Sequence, residues 1–469
     1  MRELERQRQR DKGYRAESER IREELGAEGD DKSLRKATRE AKLKVSRRWR
    51  RRVIFVICAA LLGIGLFLVY SPYGNSLLYD EDGSLAGLTV SPQPEESEQE
   101  QATGEEPVAP EEDQTAAAEE QEAPEEEQAG TADAGQPAEE EAEENVYAAT
   151  INPEVKESLA GLREKVYIPN IVDNSIHVVD PKTFEIVDYY TVENLPYHIT
   201  PSWDMSQLLV NNEESSTFTV IDPETGRPSG TIAAPFPYNF YYTPDGETAI
   251  VVVERLQMLE FRDTETWELQ GSTYIPWPGV DHLDFSADGS YLLASSEWSG
   301  VVSKVDVEKM ELVDYAEVGG LPIDVKLSPD GEVFYVANQG TMGVSVIDPE
   351  TMEEIDFIPT GEGAHGLQIS RDTKDLYVSN RLEGTVSVID METNKVTDTW
   401  VTGGSPDMFQ ISPDGKQLWV SGRYDGAVYV IDTGSGEVLS TIFTGVQPHG
   451  LVYFPNPGRF SLGHNGVYR

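Results

Sequence analysis

Seven near-copies of one segment, about 42 residues apart, constrain this chain more than any other feature. With the turn serine or its equivalent as anchor, the copies fall at Ser202, Thr243, Ser286, Ser328, Ser370, Ser412 and, in degenerate form, Phe454. The clearest copy reads Ser412-Pro413-Asp414-Gly415, then Leu418-Trp419-Val420, then Val428-Tyr429-Val430-Ile431-Asp432. One such unit cannot bury its own apolar faces, so a fixed period of short strands predicts a propeller or solenoid.

Each period supplies four strand signals, here named a to d from the axis outward. Pro-Asp-Gly at 244–246, 329–331 and 413–415 makes the a–b hairpin, with glycine at the positive-φ position. An aspartate ends strand c in every period (Asp180, Asp222, Asp263, Asp306, Asp348, Asp390, Asp432). These carboxylates recur with the turn, so they are read as turn formers and not as catalysts. The first unit starts at strand b, Val166-Tyr167-Ile168-Pro169-Asn170, and the last is only a strand a, His449 to Phe454. The last strand therefore completes the first blade, which predicts a closed all-β ring of seven blades and twenty-eight strands with no open sheet edge.

Outside the repeats the composition changes sharply. Residues 1–52 carry 19 Lys/Arg against 11 Asp/Glu, whereas the whole 469-residue chain has a formal charge of -47. Val53 to Tyr70 is an uncharged run of 18 residues, about the minimum for a membrane-spanning helix. Arg47, Arg48, Arg50, Arg51 and Arg52 directly precede it, which puts residues 1–52 in the cytoplasm and the remainder outside. Residues 71–145 form an acidic linker whose Glu, Ala, Gln and Pro content cannot bury a core, so it is expected to be disordered. Residues 146–469 hold the propeller and a short tail, Pro455 to Arg469 with His464, expected either to pack on the outside of the ring or to dock as a terminal strand. The expectation is a single-pass membrane protein with an extracytoplasmic propeller. The acidity excludes nucleic acid as its partner, and Cys58, the one cysteine, leaves the exported part without disulfides.

The phrases Phe334-Tyr335-Val336-Ala337-Asn338, Val344-Ser345-Val346-Ile347-Asp348 and Leu376-Tyr377-Val378-Ser379-Asn380 resemble the YVTN-type β-propeller repeat. The resemblance spans residues 166–454 and is specific for fold, not chemistry. It implies kinship with surface-layer propellers, sugar lactonases, nitrite-reductase haem domains and copper-binding nitrous oxide reductases. A Cys-x-x-Cys-His motif is absent, which excludes covalent haem.

Chemistry on a propeller is expected where strand a begins and strand b ends. Two neighbouring columns open strand a: Tyr197, Tyr238, Asp281, Ile323, His365, Asp407, His449, and then His198, Asn239, His282, Asp324, Gly366, Met408, Gly450. Four of the six histidines fall in these columns. Because adjacent strand residues point oppositely, His198 and His282 are not required to meet His365 and His449. The residue after strand b reads Ile171, Glu213, Glu254, Glu297, Gln339, Arg381, Arg423, placing three acids on one arc and two arginines on the other. His365, His449, Arg381 and Arg423, with Asp407 and Asp324, are candidates for holding a carboxylate or phosphate. His198, His282, Glu213, Glu254 and Glu297 are candidates for a divalent metal. The ordinary alternative is a rim of solvated or loop-capping polar groups.

Two function classes follow. One is a binding scaffold for an extracytoplasmic protein or small molecule at the channel rim. The other is a metal-assisted hydrolase of lactonase type, or a non-covalent haem or copper carrier.

Overall fold

The computed structural model describes residues 145–464 and 467–469. The predicted basic segment, membrane span and nearly all of the acidic linker lie outside these residues. Among the described residues no helix is long and apolar enough to cross a membrane.

Seven antiparallel sheets form the seven blades expected from the repeat. Blade 1 takes strands b to d from Lys165–Asn170, Ser175–Asp180 and Glu185–Thr191, and strand a from Val452–Phe454. Strand pairing closes the ring there, with Lys165 opposite Phe454, Val166 opposite Tyr453 and Tyr167 opposite Val452. Strands a of blades 2 to 7 are Pro196–Pro201, Asn239–Tyr242, Val280–Phe285, Pro322–Leu327, Ala364–Ile369 and Pro406–Ile411.

Burial explains why the strands read as apolar runs. In blade 6, strand a (Ala364–Ile369) is buried throughout, and strands b (Asp375–Asn380) and c (Thr385–Asp390) keep only one end partly open. Strand d (Lys395–Val401) is exposed except at Trp400. The inner strands are covered on both faces by neighbouring blades, so alternation survives only at the outer edge. The core accordingly lies between blades. Tyr377, Val386 and Trp400 of blade 6 pack on Phe409, Leu418 and Val420 of blade 7, and Trp419 packs with Val166, Ile168 and Tyr453 across the closure.

The recurring turn residues do what their spacing requires. At the a–b hairpin, Ser412 Oγ donates to Asp414 Oδ1 at 2.7 Å, and Ser286 does the same to Asp288 at 2.7 Å. At the c–d turn, Asp390 Oδ1 accepts the Thr393 N–H at 2.8 Å and Asp432 Oδ1 that of Ser435 at 2.8 Å. All these are local side-chain to backbone or side-chain to side-chain ties.

The tail takes the second of its two expected placements, docking as a strand. It does not pack outside the ring. Asn456 donates to the Ile411 carbonyl of blade 7, the Ser461 N–H to the Trp203 carbonyl of blade 2, and Gly463 pairs with Tyr241 on the inner strand of blade 3. The strands Ser461–Gly463 and Val467–Tyr468 thereby extend blade 3 to six strands on its axial side. The physical reason is the unpaired edge that every strand a presents to the channel, which one extended segment can occupy. Residues 145–147 reach the same a–b hairpin end: the Val146 N–H donates to the Pro329 carbonyl and Tyr147 Oη to that of Leu327.

Candidate functional site

A bulge sets the geometry of the channel. In blade 2, Pro196 pairs with Asn212 and Ile199 with Val210, so Tyr197 and His198 together face the single residue Asn211. The same shift occurs at the start of strand a in blades 4, 5, 6 and 7. In blade 1, Pro448 faces Asn170 and Val452 faces Tyr167, again one residue too many on strand a. Two residues opposing one breaks the strict alternation of a strand and re-aims side chains. The two histidine columns therefore converge, contrary to simple alternation: the His198 and His449 rings are 4.6 Å apart between centroids.

The residue after strand b is fixed by a backbone bond to the approach of strand a. The N–H of Glu213 donates to the Leu195 carbonyl, Glu297 to Gly279, Arg381 to Gly363 and Arg423 to Ser405. This is why those side chains form a ring beside the columns.

On the basic arc Asp407 is the centre, fully buried. Arg381 Nε donates to Asp407 Oδ1 at 2.8 Å, and Arg381 Nη2 also reaches that oxygen and His365 Nε2. His449 Nδ1 lies 2.7 Å from Asp407 Oδ2, and His365 Nδ1 lies 3.0 Å from Oδ1. Arg423 Nη1 sits 3.2 Å from His449 Nε2 and 3.9 Å from Asp407 Oδ2. The network assigns Nδ1–H to His449, donating to Asp407, and leaves its Nε2 to accept from Arg423. Burial and then the guanidiniums hold His365 and His449 well below the usual imidazole value, so both are neutral. Burial alone would raise the Asp407 carboxyl, but Arg381, His365 and Arg423 outweigh it and hold it low. Arg423 is the member nearest solvent, with 11% of its side chain exposed, and its buried Nε has no hydrogen-bond partner.

The remaining predicted residues divide. Asp324 is occupied structurally: its Oδ1 accepts the Val325 N–H at 3.0 Å and its Oδ2 the Leu367 N–H of the next blade at 2.9 Å. Glu213 is paired with Arg255 through two contacts of 2.7 and 3.1 Å. Glu297 accepts from the Trp298 indole at 2.9 Å. Burial, Asp281 and Glu213 push the Glu254 carboxyl well up. Glu297 is pushed up to about 7 by burial and Asp281, opposed by Arg381 and Arg423 across the channel.

His198 and His282 come together, and their third partner is one that repeat alignment could not supply. The His464 ring of the tail lies edge-on to His198 at 3.9 Å and tilted to His282 at 4.9 Å between ring centroids. Among the described residues these three form the group of ligand atoms all within 4.8 Å of one another, and the glutamates do not join it. The sequence placed His464 in a Gly-rich tail after the closing strand, with no repeat position to assign it to the channel.

The fold and the site define a closed seven-bladed propeller whose channel carries a guanidinium arc, a carboxylate arc and a cluster of histidines. The chain belongs to the YNCE-like beta-propeller family, which matches residues 162–457. No curated protein matches it. Among solved structures it is similar to a functionally unknown protein from Desulfotomaculum acetoxidans DSM 771, at 17% identity and a TM-score of 0.55, over 62% of this chain and 98% of that one. It is also similar to dihydro-heme d1 dehydrogenase NirN, at 16% identity and a TM-score of 0.50, over 64% of this chain and 76% of that one. At such identities the likeness is one of fold alone.

Proposed function

We propose that this protein is a binding propeller, tethered by residues 53–70 to a membrane and acting outside the cytoplasm, which takes an anionic group at its channel mouth. The observation that carries this reading is the charge on the basic arc. At contact distance Arg381 and Arg423 share the single carboxylate of Asp407, and both neighbouring histidines are neutral. Asp407 is fully engaged by Arg381 and His449, so Arg423, at 3.9 Å, is the weakly countered cation and the one nearest solvent. A planar carboxylate or a phosphate presents the acceptors that a guanidinium fork matches. With Asp407 fully buried and only 11% of the Arg423 side chain exposed, the setting favours a small ligand or a single acidic group on a partner protein.

The test is the melting temperature of the full chain in detergent, titrated with citrate or inorganic phosphate at matched ionic strength. A saturable rise at millimolar ligand, lost in Arg423→Gln, supports the reading. No rise in the unmodified protein, or an equal rise in the variant, overturns it.

A further inference from the structure

The three histidines in the channel have no role in that anion site. His198 and His282 are fully buried and His464 is 1% exposed. Five of their six ring nitrogens lack any polar partner. The sixth, His282 Nδ1, lies 2.7 Å from Asp281 Oδ1. Buried polar atoms are almost always satisfied, and a cluster of unsatisfied ones from three separate segments calls for an explanation. Packing does not provide one, because an apolar side chain would fill the same space without leaving donors and acceptors unmet.

We infer that the tail delivers His464 into the channel to complete, with His198 and His282, a buried three-histidine site for a late first-row divalent metal such as zinc or copper. Several observations fit. The nitrogens lie within 4.8 Å of one another. Tetrahedral ligands at metal–nitrogen bonds of about 2.0–2.1 Å stand roughly 3.4 Å apart, so modest ring rotation closes the set. Three nitrogen donors without carboxylate exclude a calcium or magnesium site and suit zinc, copper, nickel or cobalt. Asp281 beside His282 Nδ1 is placed as the carboxylate that orients a ligating imidazole, leaving Nε2 for the metal. The neighbouring His449 is committed to Asp407 and Arg423, so it does not supply a fourth ligand.

This site is independent of the anion reading, and its failure is distinguishable from it. The full chain, purified in detergent and stripped with chelator, is titrated with Zn²⁺ and, for its visible d–d bands, with Co²⁺. One metal per chain is expected, with an intense tetrahedral cobalt spectrum. His464→Ala should weaken binding at least 100-fold while the melting curve of the metal-free protein stays cooperative, since His464 lies outside the repeat. His282→Asn should do the same, and Asp281→Asn should cost about 10–100-fold. Lys309→Gln, at an exposed c–d turn, should leave metal affinity unchanged. The inference is overturned if the unmodified chain takes up no metal at micromolar concentration. It is equally overturned if His464→Ala binds as tightly, or if Glu254→Gln and Glu297→Gln abolish binding where His464→Ala does not.

Discussion

Arg469 places its guanidinium Nη2 3.2 Å from Asp284 Oδ1, with both side chains buried. The same guanidinium donates to the backbone carbonyls of Phe285 and Ser286. The other Asp284 oxygen accepts the Leu327 N–H at 2.8 Å. One carboxylate thus ties blade 4 to blade 5 and anchors the tail that crosses the hairpin end of the channel.

Removing one partner of a buried ion pair strands the other charge, which costs more than the pair is worth. Asp284→Ala should therefore destabilise the protein by about 3–5 kcal/mol and release the tail. Urea unfolding measures the first effect, and faster proteolytic clipping within residues 455–469 measures the second. Arg469→Met, which leaves Asp284 with its Leu327 N–H, should cost less. Equal sensitivity of the two variants would show that the tail is held by its strand pairing instead.

Asp407 has a pH signature. Its folded carboxyl is held below the unfolded value of roughly 3.9, so it contributes stability that is present above about pH 4 and lost as pH falls through the folded value. Asp407→Asn should cost about 3–5 kcal/mol at neutral pH, because Arg381 loses its counter-charge in a buried site. The variant should also show a flatter decline in melting temperature below pH 4 than the parent. Parallel curves at all pH values would count against the assignment.

The acidic arc behaves oppositely. Glu297, pushed up to about 7, binds its proton more tightly folded than unfolded. Its contribution is fully present below roughly pH 4 and is lost as pH rises through about 7. Glu297→Gln keeps an acceptor for the Trp298 indole and removes the buried charge, so it should stabilise the protein at pH 8 by up to about 3 kcal/mol. At pH 4 the two proteins should unfold at nearly the same urea concentration. A variant less stable than the parent at pH 8 would contradict this.

Much of this was written in the repeat. The period, the turn aspartates and the strand shared between the two ends led directly to a closed ring, because each is a local requirement repeated seven times. The columns also located His198, His282, His365, His449, Arg381 and Arg423 at the channel. Three things were not legible. Alternation kept the columns apart, and only the bulge opposite Asn211 and its counterparts brings His198 to His449. His464 carries no repeat position, so its placement depends on a tail pairing with the inner edge of blade 3, which sequence periodicity does not encode. The pairing of Glu213 with Arg255 was likewise hidden, because Arg255 stands one place beyond its column.

Gly450 tests the crowded heart of the channel. It occupies the second column opposite His198, and a Cβ added there would lie 2.0 Å from His198 Nδ1 and 2.7 Å from its Cγ. The backbone cannot yield easily, since Gly450 also bonds to the backbone of blade 2 at Tyr197 and Ile199. Gly450→Ala should therefore displace the His198 ring and cost about 1–3 kcal/mol through overpacking. Gly230→Ala is the control, because its Cβ would meet only Val220 Cβ, at 4.0 Å. Urea midpoints separate the two substitutions, and the cobalt spectrum separates a displaced ring from a merely strained one. A Gly450→Ala protein with normal stability and normal cobalt bands would mean that His198 has room to move, and that the channel is looser than its packing indicates.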